Sequence, residues 1–204
     1  MRLTPREEAV LVCYIAIYYN CNNAQEIADI IKKYGSTTSR IVYRGQAKKD
    51  TTIDNRKPFV STSPSREMAE QFVEHDWEAN KKVGNLFKIH LENAKWLSTR
   101  SIEFTLTDKV KEELRKINSK PIQKERDYTL DELWPQIKTR LAELLAEGEE
   151  VLVLTGGTFK NTKGVGEIET WYSVGGRATR TLGRRKTRRS WSKNVYSHID
   201  LKRM

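Results

Sequence analysis

The chain is poor in the residues that build metal centres and covalent frameworks, with two cysteines and three histidines among 204 residues. Cys13, Cys21, His75, His90 and His198 stand at no spacing that a metal site uses, so no metal is expected. Cys13 lies in an apolar helical run, and both thiols are expected to be reduced, with no disulfide. No apolar run approaches the roughly 20 residues needed to cross a bilayer. Glu7 and Glu8 stand where a secretory signal would be apolar, so neither a signal peptide nor a membrane partner is expected. The reading is of a cytoplasmic protein. Internal repeats are absent, and the basic end is the one biased segment. Acids are missing from that end. Between Arg177 and Met204, ten lysines and arginines face Asp200 alone. This tail carries +9 of the formal +10, leaving residues 1–176 near neutral. It reads equally as a solvated end or as a footprint for nucleic acid or another polyanion, with Trp191 and Tyr196 available for base stacking.

What is present reads as helices, then strands around one helix, then a helical block, then more strands. Thr4 is suited to cap a first helix, with Pro5 at its first position and Glu7 and Glu8 at the positive end of its dipole. The run AVLVCYIAIYY is apolar nearly all round, which predicts a buried helix. NAQEIADIIKKYG predicts a second, with Ala24, Ile27, Ile30 and Ile31 on one face and Gly35 as its C-terminal cap. IVYR (41–44), FVS (59–61) and NLFKIHL (85–91) read as strands, with a polar loop over 46–57. Residues 107–148 read as helix, break at Pro121, and helix, with a stripe of Leu130, Leu133, Ile137, Leu141, Leu144 and Leu145. Thr129 is the expected cap, and Pro135 falls in the first turns or kinks the helix. VLVLTGGTFK and EIETWYSV then predict a β-meander. The fold class is α+β, with antiparallel or mixed strands.

The stretch FVSTSPSREMAEQF raises the question of chemistry. Ser63 before Pro64 is suited to cap a helix, with Met68, Ala69, Phe72 and Val73 on its apolar face. That explanation leaves Ser61 over. Two other features accompany it: Tyr43-Arg44-Gly45 at a strand end, and Glu149-Glu150 ahead of VLVL. In this order the segments IVYRGQ, FVSTSPSREMAEQF, NLFKIHLENAK and EEVLVLTGGTFK resemble the Arg–Ser–Glu class of mono-ADP-ribosyltransferases, the class of cholera-type and clostridial toxins, arginine-specific vertebrate transferases and phage enzymes. The resemblance spans residues 41–95 and 147–174. It implies a single ADP-ribosyltransferase-like domain over 1–176, with split antiparallel or mixed sheets, N-terminal helices and a helical insertion at about 107–147. The 177–204 tail lies outside it.

The activity that the resemblance implies is cleavage of NAD, as co-substrate, with transfer of ADP-ribose to a macromolecular acceptor, protein or nucleic acid. It implies that Glu150 stabilises the charge that develops on the ribose. It implies too that Ser61 hydrogen-bonds that carboxylate and that Arg44 clamps a phosphate. Tyr43, Gly45, Thr62 and Ser63 join the NAD-binding set, Gly45 by letting backbone approach the nicotinamide and Thr62 by bracing the turn. The family's first glutamate, two residues before the catalytic one, is replaced here by Gly148. Glu147 and Glu149 are alternatives for its acceptor-side role. Glu167-Ile168-Glu169 is a second possible Glu-x-Glu, and Glu103 a third candidate. The compartment would be the host cytosol for a phage or toxin protein. Two other readings stand beside this one: a non-catalytic nucleic-acid-binding protein that uses its tail, and an NAD glycohydrolase without a macromolecular acceptor.

Overall fold

The computed structural model describes residues 1–17, 21, 23–47, 52–54, 56–76, 81–117, 129–161 and 167–173. The basic tail lies outside the described residues.

The first helix, α1 (Pro5–Val12), starts as its sequence directs. The Thr4 hydroxyl accepts from the Glu7 N–H, and the Glu7 carboxylate accepts from the Thr4 N–H. α1 then widens into a π-helical turn, Cys13–Ile17, and both are buried along most of their length. The expectation of two reduced thiols is corrected here. Cys13 and Cys21 form a disulfide, with Cα atoms 5.9 Å apart. An unbroken α-helix would hold Cα atoms eight residues apart at about 12 Å, so a reading of one apolar helix hides the pairing. Closing so short a loop is worth about 2–3 kcal/mol. In α2 (Ala24–Tyr34) the buried face is Ile27, Ala28, Ile30 and Ile31, and Ala24 is exposed. Gly35 comes next, in extended rather than left-handed backbone. It is glycine because a Cβ there would lie 3.0 Å from the Trp96 carbonyl.

The described residues form nine strands: β1 (Arg40–Gln46), β2 (Phe59–Thr62), β3 (His75–Asp76), β4 (Lys81–Lys82), β5 (Asn85–Glu92), β6 (Trp96–Ser98), β7 (Val151–Leu154), β8 (Thr158–Asn161) and β9 (Glu167–Ser173). They make a four-stranded sheet in the order β1-β5-β9-β8, a three-stranded sheet β2-β7-β6, and a β3-β4 pair. All these pairings are antiparallel except β5 with β9. The mixed α+β class is as the sequence predicts. The meander is not. β7 and β8 lie in different sheets, and the turn containing Gly156 (φ +117°) carries the chain from one to the other. β7 (VLVL) is buried and β8 (TFKN) is largely exposed, yet a Gly-Gly turn between two short strands reads as a hairpin in the sequence, which hides the switch.

The three-stranded sheet separates two cores. Side chains alternate across a strand. Phe59, Leu97 and Leu152 therefore face a helical cluster, and Val60, Val151 and Val153 face the four-stranded sheet. The helical cluster unites α1, the π-turn, α2, α4 (Asp108–Ile117) and α5 (Leu130–Glu147). Thr129 caps α5 in a box with Glu132, and Pro135 is carried inside the helix. Leu133, Ile137 and Leu141 are buried, while Leu144 and Leu145 lie partly buried at its C-terminal end.

Glu8 ties this helical cluster to the chain that enters α4. Its carboxylate is 2% exposed and accepts from the Thr105 N–H (2.7 Å), the Thr105 hydroxyl (2.8 Å) and the Leu106 N–H (2.7 Å). Leu106 sits at φ 48°, a conformation costly for leucine, which these bonds hold. Glu8→Ala removes the acceptor of two part-buried backbone donors and one hydroxyl and releases the strained turn at Leu106. We expect it to lower unfolding stability by about 3 kcal/mol in urea titrations, whereas Glu7→Ala at the exposed cap costs about 1 kcal/mol.

Candidate active site

A cavity of about 290 Å³ opens where the helical cluster meets the ends of β1, β2 and β7. Tyr43 and Ser63 make it possible. Their backbones exchange two hydrogen bonds, of 2.6 and 2.8 Å, which join the edge strands of the two sheets at one point. Arg44 is the next residue, and by alternation its side chain shares the inner face with buried Val42. Its Nη1 donates to the Ser61 carbonyl. Ser61 pairs with Leu152 in the β2–β7 ladder, so it lies on the helical face of its sheet, as does Glu150, two residues before Leu152. The Ser61 hydroxyl donates to Glu150 Oε1. Arg44, Ser61 and Glu150, drawn from three separate segments, thus line one cleft.

Two further residues hold Glu150, one by its carboxylate and one by its backbone, and neither is marked in the sequence pattern. The Tyr14 hydroxyl donates to Glu150 Oε1 at 3.0 Å from the π-turn. Thr99 fixes the backbone: the Glu150 N–H donates to its hydroxyl (3.1 Å), and the Thr99 N–H donates to the Glu150 carbonyl (2.9 Å). Burial raises the Glu150 carboxyl above the ordinary glutamate value. The Ser61 and Tyr14 hydrogen bonds and the Arg44 charge act the other way without cancelling it.

The remaining candidates divide between lining and support. Tyr43, Gly45, Thr62 and Ser63 all line the cavity. The Thr62 hydroxyl is committed to the Val151 carbonyl at 2.7 Å, which braces β2 on β7. Ser63 is not the helix cap. Its hydroxyl accepts from the Ser65 N–H, and Ser65 caps α3 (Arg66–Glu70) by accepting from the Met68 N–H. Pro64 therefore precedes the cap, and the helix starts two residues later than its proline signals. Gly45 has a packing reason: a Cβ there would stand 2.7 Å from the Val73 N, in the backbone just past α3. Phe72, 63% exposed, forms one lip, and Leu144 and Leu145 of α5 also line the cleft.

Of the alternative glutamates, Glu147 and Glu149 line the cavity, but Glu149 pairs with Arg40 at 2.9 Å. Gly148 between them meets Met68, whose Cε would be 3.1 Å from a Cβ at that position. Glu167 and Glu169 lie on β9 and do not line the cleft. Glu169 accepts from or pairs with His90 (2.8 Å) and Lys88 (3.4 Å), and Glu167 pairs with Arg66 (3.4 Å). Glu103 is also outside the lining, its N–H bonded to the Met1 carbonyl. Among the described residues no cluster of histidine, cysteine and carboxylate could hold a metal ion, and no helix is long and apolar enough to cross a membrane. The chain matches no family model, no curated protein and no solved structure.

A carboxylate held by two hydroxyls beside a guanidinium, in an open apolar-walled cleft, can stabilise positive charge on a bound ligand. Its burial also has a cost in stability. A raised native pKa means that the folded state holds the Glu150 proton more tightly than the unfolded chain. Its favourable contribution is complete below the ordinary glutamate pKa and is lost as pH rises through the raised one. Glu150→Gln should therefore gain stability relative to wild type as pH rises from about 4 to about 8, read as a widening gap between urea midpoints. A gap that stays constant or narrows would mean that the carboxylate is not desolvated.

Proposed function

We propose that the chain is an NAD-dependent mono-ADP-ribosyltransferase of the Arg–Ser–Glu class. The observation that supports this most is the meeting of Arg44, Ser61 and Glu150 in one cleft from strand ends far apart in sequence. Their residue types and order agree with the resemblance, and the split sheets are compatible with its fold.

In this reading the nicotinamide riboside end of NAD enters between Phe72 and the end of α5. The cleft is near the lower end of ligand-pocket volumes, so the adenosine half extends beyond it. Arg44 contributes positive charge on the diphosphate side and, through the Ser61 carbonyl, fixes the β2 end. As the glycosidic bond breaks, nicotinamide leaves with the bonding pair and positive charge spreads over the ribose ring. The Glu150 carboxylate lies beside that charge, oriented by Ser61. The acceptor nucleophile then bonds to the anomeric carbon and releases its proton. With water as acceptor the same steps give free ADP-ribose.

The acceptor is a macromolecule, protein or nucleic acid, with the 177–204 segment as an electrostatic contact for a polyanion. Gly148 removes the glutamate that would activate an arginine, and Glu149 is engaged with Arg40. Glu147 at the cleft mouth is then the available acceptor-side carboxylate.

Incubation of the full chain with adenylate-labelled NAD and cell extract tests the reading. Wild type should transfer label to a macromolecule, and Glu150→Gln should lower the rate about 10²- to 10³-fold. Free ADP-ribose alone would replace the transferase with a glycohydrolase. Intact NAD after long incubation would overturn both.

A further inference from the structure

Tyr14 reaches Glu150 from a part of the chain that the resemblance does not span. Its hydroxyl bonds the same oxygen, Oε1, that receives the Ser61 hydroxyl. Its ring stands edge-on to Phe59, with centroids 5.3 Å apart and planes at 80°. Phe59 is on β2, two residues before Ser61, so one strand supports both donors.

Backbone geometry gives Tyr14 this direction. It is the second residue of the π-helical turn Cys13–Ile17. A π-turn inserts one residue and rotates the next part of the helix by about 100° relative to an unbroken α-helix. The residue beside it, Cys13, is fully buried and bonded to partly exposed Cys21, just ahead of α2. The covalent bond therefore anchors the turn from which Tyr14 extends.

We propose that Tyr14 is a positioning residue for Glu150 and that the Cys13–Cys21 disulfide holds it there, so that reduction by a dithiol releases Tyr14 and weakens the site. This rests on the reading of Glu150 as the carboxylate that stabilises the ribose cation. The redox step is a two-electron exchange. A reductant thiolate attacks the accessible Cys21 sulfur, and Cys13 leaves as a thiolate and takes up a proton. The second reductant thiol then displaces Cys21, which is protonated in turn, and the reductant ends as a disulfide.

The consequence falls on the ionisation of Glu150. The groups around it are Ser61 on β2, Arg44 and Tyr43 on β1, Tyr14 on the π-turn, Thr99 after β6, and Glu147 and Glu149 on its own segment. Tyr14, Ser61 and Arg44 favour the charged form. Losing Tyr14 removes one of three opposing influences, so the carboxylate protonates at higher pH.

The test compares wild type, Tyr14→Phe, Cys21→Ala and the double variant, with two readouts. One is the acidic limb of the pH profile of NAD turnover. The other is the pH titration of the Glu150 side-chain carboxyl, followed by carbon NMR and assigned by its loss in Glu150→Gln. Tyr14→Phe should move both to higher pH, and Cys21→Ala should move them the same way. Adding Cys21→Ala to Tyr14→Phe should move neither further. An unmoved titration in Tyr14→Phe would overturn the positioning role. A shift on breaking the disulfide that is as large without the Tyr14 hydroxyl as with it would overturn the link to the cysteines. If the carboxyl titrates as expected but no form turns over NAD, the positioning stands and the enzymatic reading falls.

Discussion

The hydrogen bond from Ser61 to Glu150 spans two strands that meet only because β2 and β7 pair in one register. Thr62 opposite Val151, with its hydroxyl on the Val151 carbonyl, sets that register from the buried face. A slip of one residue would turn Ser61 into the inter-sheet core and Val60 into the cleft. The core is thus the device that aims the site. Apolar Val60, Val151 and Val153 on one face, and Phe59, Leu97 and Leu152 on the other, leave only the strand ends for polar groups.

The same arrangement explains why the carboxylate is costly. Glu150 is half-buried where the helical cluster ends, among Tyr14, Leu144, Leu145 and the strand ends, and burial raises its carboxyl above the ordinary value. Two hydroxyls and one guanidinium compensate in part, and its pKa stays raised. A charge kept under such conditions is poised to gain when a cation forms beside it. Free water would offer the same group more solvation and less leverage. α5 belongs to this picture: it ends at the cleft, and Gly148 leads the chain into Glu150 and β7.

Much of this was legible in the sequence, for identifiable reasons. Ser61 and Glu150 stand at the ends of apolar strands, as their patterns suggest, whereas Arg44 lies within β1, which runs on past the expected end at residue 44 to Gln46. Their meeting in one cleft was implied only by the resemblance. The capping boxes at Thr4 and Thr129 are local and were readable. The hidden features depend on contacts between distant segments. Tyr14 looks like one more core residue of an apolar helix, because a π-turn leaves no local mark. Thr99 comes after a three-residue strand too short to read. The disulfide brings Cys13 and Cys21 closer than one continuous apolar helix would place them, so the apolar run conceals it. Ser65, not Ser63, caps the helix: the backbone of Ser63 is taken up by its bridge to Tyr43, and its hydroxyl by the Ser65 N–H.

In the proposed reading, the cleft that gathers Arg44, Ser61 and Glu150 holds a nicotinamide riboside. A crystal structure of Glu150→Gln soaked with NAD tests it most directly. The ribose should lie within hydrogen-bond distance of Ser61 and the residue 150 amide, with nicotinamide beside Gly45 and diphosphate on the Arg44 side. A dinucleotide bound elsewhere on the protein, or an empty cleft at saturating NAD, would contradict it.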